Sequence, residues 1–309
     1  MEFSNSGFEP QTKTVTIPML VSYTIKIEKP VNTVSGLKLS WTSVEDPAFD
    51  HYILFRRVAD TNEWVLVADN LTDASYIDGS KDLIGGESYQ YKVAVMTKDG
   101  NSYESAARKY TYIGATTMNA PTCTAQGLRV TWPKVEGAVQ YEVYRFIGAG
   151  TPTWKKVATV DATDDALQVY NETVKASESG KWYAYTVRAI ASDTTKGAQP
   201  GGRSVRYRAP VQTTKVESTS TGVKVTFNTV DAGYTYMLYR STKNANGTWT
   251  AYEKIDYKCY VYNEASRSKT ITDTTAVSGQ TYRYYVRCMS KDLAVPLSSY
   301  NNCLEILYK

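Results

Sequence analysis

Hydrophobic and polar positions alternate along most of this chain, and the clearest alternation is written three times. It reads E-S-Y-Q-Y-K-V-A-V-M at 87–96, K-W-Y-A-Y-T-V-R-A-I at 181–190 and Q-T-Y-R-Y-Y-V-R-C-M at 280–289. Each copy carries Tyr-x-Tyr-x-Val: Tyr89, Tyr91, Val93; Tyr183, Tyr185, Val187; Tyr282, Tyr284, Val286. Period two places those side chains on one face of a strand. Aromatic and β-branched residues suit a pleated, half-buried surface. The pattern predicts the central strand of a β-sandwich in three copies.

The surrounding stretches repeat with it. G-L-K-L-S-W (36–41), G-L-R-V-T-W (127–132) and G-V-K-V-T-F (222–227) predict one strand. H-Y-I-L-F-R-R (51–57), Y-E-V-Y-R-F (141–146) and Y-M-L-Y-R-S (236–241) predict the next. Trp-led strands follow at 64–68, 154–160 and 249–255, then short strands ending in polar turns at 75–79, 168–172 and 270–274. Closing strands are predicted at 107–113, 203–208 and 303–308. Trp41, Trp132 and Phe227 are spaced by 91 and then 95 residues, and no stretch reads as a helix of any length. A repeat of that period predicts three small domains, at 30–116, 117–209 and 210–309. The short joints between them predict a semi-rigid rod rather than beads on a flexible string.

Residues 1–29 stand ahead of this scheme. Val15, Ile17, Met19, Val21, Tyr23, Ile25 and Ile27 alternate with polar residues, which predicts an amphipathic strand interrupted at Pro18. Pro30 precedes Trp41 by the same 11 residues by which Pro121 precedes Trp132, so the strand is read as an arm outside the first repeat. A bare apolar face does not stay in water. Either the arm packs along the first domain, or it finishes a preceding domain, or it adds to a neighbouring subunit or anchoring protein.

Composition adjusts this picture modestly. With 42% hydrophobic residues there is material for three small cores. Tyr outnumbers Phe 26 to 6, and Tyr serves strands and contact surfaces alike because it buries a ring and keeps a polar tip. The net charge is +4 with both signs interleaved, which argues against nucleic acid or a membrane surface as partner. No apolar run is long enough for a membrane-spanning helix. The opening M-E-F-S-N-S-G-F-E-P lacks the basic and apolar regions of a secretory signal. That points to a piece of a longer secreted protein, or to another route outside, such as assembly into a virion.

Candidate chemistry is sparse. The single histidine, His51, stands near no nucleophile pattern, and no phosphate loop or zinc-protease motif occurs. Gly85-Gly86 and Gly201-Gly202 read as turns, and Asp161–Asp165 fits no calcium loop. Cys123, Cys259, Cys288 and Cys303 lack metal-site spacing. Cys288 shares the inward face of its strand and reads as a buried thiol, while pairing of Cys259 with Cys303 stays open. No catalytic residue, cofactor or metal site is expected, and the chain is read as a non-enzyme. Trp64, Trp154 and Trp249 recur just after the same turn: each either covers a sandwich edge or offers a platform for sugar rings or a partner. Arg56, Arg145 and Arg240 also recur and are expected to stack on aromatics.

The order G-L-x-[LV]-x-W, Y-x-[LV]-[FY]-R, L-x-x-x-x-x-Y-x-Y-x-V resembles the fibronectin type III repeat, and most of all its Tyr-rich forms in bacterial surface and secreted proteins. The resemblance covers residues 30–309. It implies an all-β chain of three tandem immunoglobulin-like sandwiches. It also implies that Leu83 and Tyr89 form a tyrosine corner, whose hydroxyl ties its loop to the sheet. The third copy, Val277 to Tyr282, is one residue shorter, and the second has no apolar equivalent near Ser177. The expected function is structural and adhesive: a protein on the outside of a phage particle or a bacterial cell, fixed by its arm and binding a protein, glycan or host partner. The alternative is a set of spacer or sugar-binding modules from a larger secreted polysaccharide-degrading enzyme. Both place the chain in a virion, outside the cell or on its surface.

Overall fold

The computed structural model describes residues 23–231, 234–255, 260–262, 268–290 and 296–309. Among the described residues every regular element is a β-strand except one 3-10 turn at Ala176–Glu178. In the first third the strands are β1 (Val31–Thr33), β2 (Gly36–Ser40), β3 (Phe49–Val58), β4 (Val65–Leu71), β5 (Ser75–Asp78), β6 (Ser88–Thr97), β7 (Ser102–Glu104) and β8 (Arg108–Thr111). In the second they are β9 (Thr122–Cys123), β10 (Gly127–Pro133), β11 (Ala138–Ile147), β12 (Lys155–Asp161), β13 (Leu167–Thr173), β14 (Trp182–Ala191) and β15 (Arg203–Arg206). The last third holds β16 (Thr213–Thr219), β17 (Gly222–Asn228), β18 (Tyr234–Thr242), β19 (Glu253–Lys254), β20 (Tyr260–Tyr262), β21 (Ser268–Asp273), β22 (Thr281–Met289) and β23 (Leu304–Leu307).

Each third builds the same pair of sheets. The smaller sheets run β1-β2-β5, β9-β10-β13 and β16-β17-β21. The larger run β4-β3-β6-β7 with β8 on β6, β12-β11-β14-β15, and β19-β18-β22-β23 with β20 on β18. The Tyr-x-Tyr-x-Val stretches are β6, β14 and β22, and each is a central strand. Where the third Trp-led strand was expected over 249–255, only Glu253–Lys254 pairs regularly, with an isolated bridge from Lys243 to Trp249.

The described residues form two compact units, one of 23–29, 39–76 and 90–109 and the other of 30–38, 77–89 and 110–309. In the first, Leu39, Tyr52, Leu54, Tyr91, Val93 and Val95 are buried, and the Trp41 and Tyr52 rings meet edge to face at 5.5 Å. The second holds two sandwich cores. One gathers Leu128, Val130, Trp132, Tyr141, Val143, Tyr183, Tyr185 and Val187; the other gathers Val223, Val225, Phe227, Tyr236, Leu238, Tyr282, Tyr284 and Val286. Each such side chain contributes about 2 kcal/mol by leaving water. Trp132 and Tyr141 repeat the edge-to-face pair at 5.3 Å.

The glycine that opens β2, β10 and β17 has a steric reason. Gly36, Gly127 and Gly222 have φ of 134°, 153° and 138°, and a Cβ on any of them would lie 2.1 Å from the carbonyl oxygen of Asp78, Glu172 or Asp273. Only a residue without a side chain lets those two backbones approach.

Within the second unit the repeats join through polar and close backbone contacts. Asn32 donates from Nδ2 to the Lys196 carbonyl at 3.2 Å, Thr111 donates to Asp193 at 2.5 Å, and Gly137 lies against Gly85-Gly86. Further on, Asp231 accepts a hydrogen bond from Arg206 at 2.9 Å and forms an ion pair with Arg208 at 3.0 Å, with Asp231 and Arg208 both buried. Ser179 donates to the Val230 carbonyl at 2.7 Å and accepts from the Ala209 N–H.

Candidate functional site

Trp64 and Trp154 immediately precede the residues that pair with Arg56 and Arg145, whereas in the third repeat Tyr252 holds that place and Trp249 bridges Lys243; all three tryptophans are half-buried. Their surroundings differ. Trp64 has the Arg57 guanidinium 4.6 Å and the Lys92 ammonium 4.8 Å from its ring centre. Trp249 has Arg283 at 4.0 Å and Lys243 at 5.6 Å. A cation held over an indole face is attracted by the ring quadrupole and occupies the area a ligand would need.

Among the described residues, no cation stands over Trp154. Register explains why. Phe146 pairs with Ala184 on β14, and Ala184 pairs with Ser204 on β15, so the three form one row across the sheet, on the face away from the core residues Tyr183 and Tyr185. The positions matching Phe146 are Arg57 and Ser241; those matching Ala184 are Gln90 and Arg283. In the first repeat Arg57 bonds Gln90 at 2.7 Å and covers Trp64, and in the third Arg283 covers Trp249. Phe146 and Ala184 supply neither charge nor reach. Trp154 leans across the row until its Cη2 stands 2.4 Å from where a Gly202 Cβ would be, and its ring meets Phe146 at 6.5 Å. A cleft of about 320 Å3 remains, bounded by Trp154, Trp182, Phe146, Pro152 and Ser204, with no charged side chain in its lining. Trp182 is 48% exposed beside it.

The recurring arginines do more than stack. Arg145 pairs with Glu172, whose other oxygen accepts the Tyr185 hydroxyl at 2.7 Å. Arg240 pairs with Asp273 at 2.9 Å, and Tyr284 donates to the same oxygen at 2.7 Å. Burial first, then the carboxylate in the case of Tyr284, pushes these phenols well above their usual range. Arg240 also stands over the Tyr282 ring at 5.0 Å, the expected stacking. Arg56, Asp78 and Tyr91 occupy the same positions in the first repeat and are likewise buried. The acid recurs near the end of the short polar-turn strand in each repeat, at Asp78, Glu172 and Asp273.

A second charged cluster lies on the outer face of the second repeat. Burial works against ionising Glu142, yet Tyr144, Arg188, Lys196 and Lys156 all donate to it and hold its carboxyl at about 2. His51 lies between two carboxylates, 2.9 Å from Asp50 and 3.3 Å from Asp69. Among the described residues no group of three or more His, Cys, Asp or Glu is arranged to hold a metal ion, and no helix is long and apolar enough to cross a membrane. Cys123, Cys288 and Cys303 are free thiols, and burial pushes Cys288 up to about 12; Cys259 lies outside the described residues.

Of the arm, Val15, Ile17, Met19 and Val21 lie outside the described residues. Ile25 and Ile27 are buried, and Ile27 bridges Trp41 antiparallel, with Glu28 donating to the Ser40 carbonyl at 2.9 Å. Thr213 pairs with Phe227 at the same offset of 14 residues. Tyr23 meets Tyr103 edge to face at 5.0 Å. Tyr23, Ile25 and Ile27 therefore pack on the chain's own first sandwich.

Tyrosine latches fasten the loops. Tyr89 accepts from the Ile84 N–H at 2.8 Å, and Tyr282 from the Val277 N–H at 2.9 Å. In the second repeat the 3-10 turn replaces this corner, and Tyr207 donates to the Val174 carbonyl at 3.1 Å. A further latch recurs in all three repeats: Tyr52, Tyr141 and Tyr236 accept from the N–H groups of Val44, Val135 and Val230, each at 2.8 Å.

No family model matches the chain. Among solved structures it is similar to the FN1–FN3 domains of chicken CNTN1, at 16% identity over 93% of this chain and 97% of that one, with a TM-score of 0.31. It is also similar to the chicken interferon gamma receptor alpha chain, at 12% identity over 58% of this chain and 95% of that one, with a TM-score of 0.35. The fold itself, paired antiparallel sheets with tyrosine corners in tandem, is that of fibronectin type III-like sandwiches.

Proposed function

We propose that this chain is a non-enzymatic structural and adhesive protein, displayed on the outside of a phage particle or a bacterial cell. Residues 1–22 fix it to a protein partner or to further copies, and the sandwiches present a binding surface. Neither nucleic acid nor membrane insertion is part of this reading. The observation that carries it is the joint at Asp231, where a buried carboxylate takes both Arg206 and Arg208 between the second and third repeats. Breaking a buried pair leaves an uncompensated charge. A joint of that kind holds two modules in one orientation, as a displayed surface requires.

A second reading, spacer or sugar-binding modules of a larger secreted polysaccharide-degrading enzyme, is favoured by the uncovered aromatic cleft at Trp154. Light scattering on the full chain and on a version lacking residues 1–22 separates the two. The display reading expects an assembly that becomes monomeric on truncation. Monomers in both cases contradict self-assembly through the arm and favour the modular spacer.

A further inference from the structure

We propose that the cleft beneath Trp154 and Trp182 binds a neutral glycan, seating the apolar face of a β-linked hexopyranose unit against the indoles. The proposal rests on the adhesive reading above and names its ligand class.

The chain supplies its own controls. Each repeat sets one tryptophan beside the same outer row of its larger sheet, at Arg57, Phe146 or Arg283. Twice its ring carries cations, Arg57 with Lys92 and Arg283 with Lys243. In the middle copy the covering positions are Phe146 and Ala184, and the space is an open cleft of about 320 Å3. That volume is at the lower end of the range of small-ligand sites. Trp182 adds a second indole, 48% exposed, which is a large apolar side chain left in water beside an apolar hollow.

The chemistry of the lining selects the ligand. An indole face is electron-rich, so it favours C–H groups carrying partial positive charge. A hexopyranose whose substituents are equatorial presents such a face, and its hydroxyls lie around the edge. The rim of the cleft matches that edge: the Ser204 hydroxyl stands on one side, and the loop containing Gly148 and Gly150 offers backbone groups on another, with open space around Gly150. No charged side chain lines the cleft, so an acidic saccharide finds no counter-charge there. An extended peptide fits less well, because its backbone groups would face Trp154, Phe146 and Pro152 without partners.

The test is isothermal titration of the intact chain with cellotetraose, a neutral β-linked probe. Trp182→Ala removes one wall at an exposed site. Ala184→Arg installs at Trp154 the cation that Arg283 provides at Trp249. Saturable binding is expected, weakened about tenfold or more in both variants, as for truncation of an aromatic hot spot. Circular dichroism and thermal unfolding matching the parent's show that the variants are folded. Absence of saturable heat in the parent overturns the proposal. So does affinity unchanged in both variants, or a response to a proline-rich peptide in place of the saccharide. Failure here with arm-dependent assembly intact removes the glycan and leaves the display reading. Binding here without such assembly leaves the site and removes self-assembly.

Discussion

Tyr284 donates its hydroxyl to an Asp273 carboxylate oxygen at 2.7 Å, and the same oxygen takes the Arg240 guanidinium at 2.9 Å. The carboxylate is buried, and Thr275 donates to its other oxygen at 2.7 Å. Two substitutions separate the partners. Arg240→Met leaves a buried charge without its counter-ion, and is expected to cost about 3–5 kcal/mol. Tyr284→Phe removes one hydrogen bond to a charged acceptor and is expected to cost about 1.5–3 kcal/mol. Urea unfolding of both variants checks the order. An Arg240→Met variant no less stable than Tyr284→Phe contradicts it.

Glu142 sets a pH dependence. Its carboxyl is held at about 2, below the usual 4.5, so the folded state favours the ionised form. That contribution is complete above pH 4.5 and is lost as pH falls from there toward 2. The stability gap between the parent and Glu142→Gln is therefore expected to be widest near neutral pH and to close in acid. Urea titrations across that range read the gap directly, and a gap independent of pH would falsify the assignment.

Gly137 has φ of +72°, and a Cβ there would lie 2.3 Å from the Gly85 carbonyl group. Since the neighbouring atoms are backbone, they cannot rotate away. Gly137→Ala is expected to destabilise by about 1–3 kcal/mol through strain and displaced backbone. Amide exchange at Ile113, whose N–H donates to Asn32 in the same region, is expected to quicken. Unchanged protection there would show that the contact yields without cost.

Ile27 lies buried against Trp41's strand, which gives the N-terminal stretch two separable parts. Deleting residues 1–22 is expected to leave the first sandwich's unfolding midpoint unchanged, whereas Ile27→Ala is expected to cost about 2–4 kcal/mol as a core truncation. Thermal unfolding compares the two. A deletion as damaging as the substitution would mean that the earlier residues belong to the core as well.

The strands were legible because burial on one face of a sheet writes period two into the sequence, as at Tyr183, Tyr185 and Val187. The tyrosine corner at Tyr89 was an implication of the family resemblance, and Tyr282 makes the same latch although its spacing is one residue shorter. Periodicity is silent on contacts between sheets, so the Arg145–Glu172–Tyr185 and Arg240–Asp273–Tyr284 networks, with partners 11 to 33 residues apart, had no local signature. The third Trp-led strand dwindled to Glu253–Lys254, although its sequence alternates as well as the others do. The candidate site was half legible. The tryptophans stood out as a recurrence, but what distinguishes Trp154 resides in Phe146 and Ala184. Aligning those two positions with Arg57, Ser241, Gln90 and Arg283 would have shown where the cationic cover is missing.

The most direct test of the uncovered middle repeat is the set of indole N–H resonances of the six tryptophans, followed by NMR as cellotetraose is added. Trp154 and Trp182 are expected to shift together and saturate, while Trp64 and Trp249, under their cations, stay in place along with the buried Trp41 and Trp132. Shifts at Trp64 or Trp249 with Trp154 and Trp182 unmoved, or no shift at any of the six, would contradict the claim that the cleft of the second repeat is the chain's binding face.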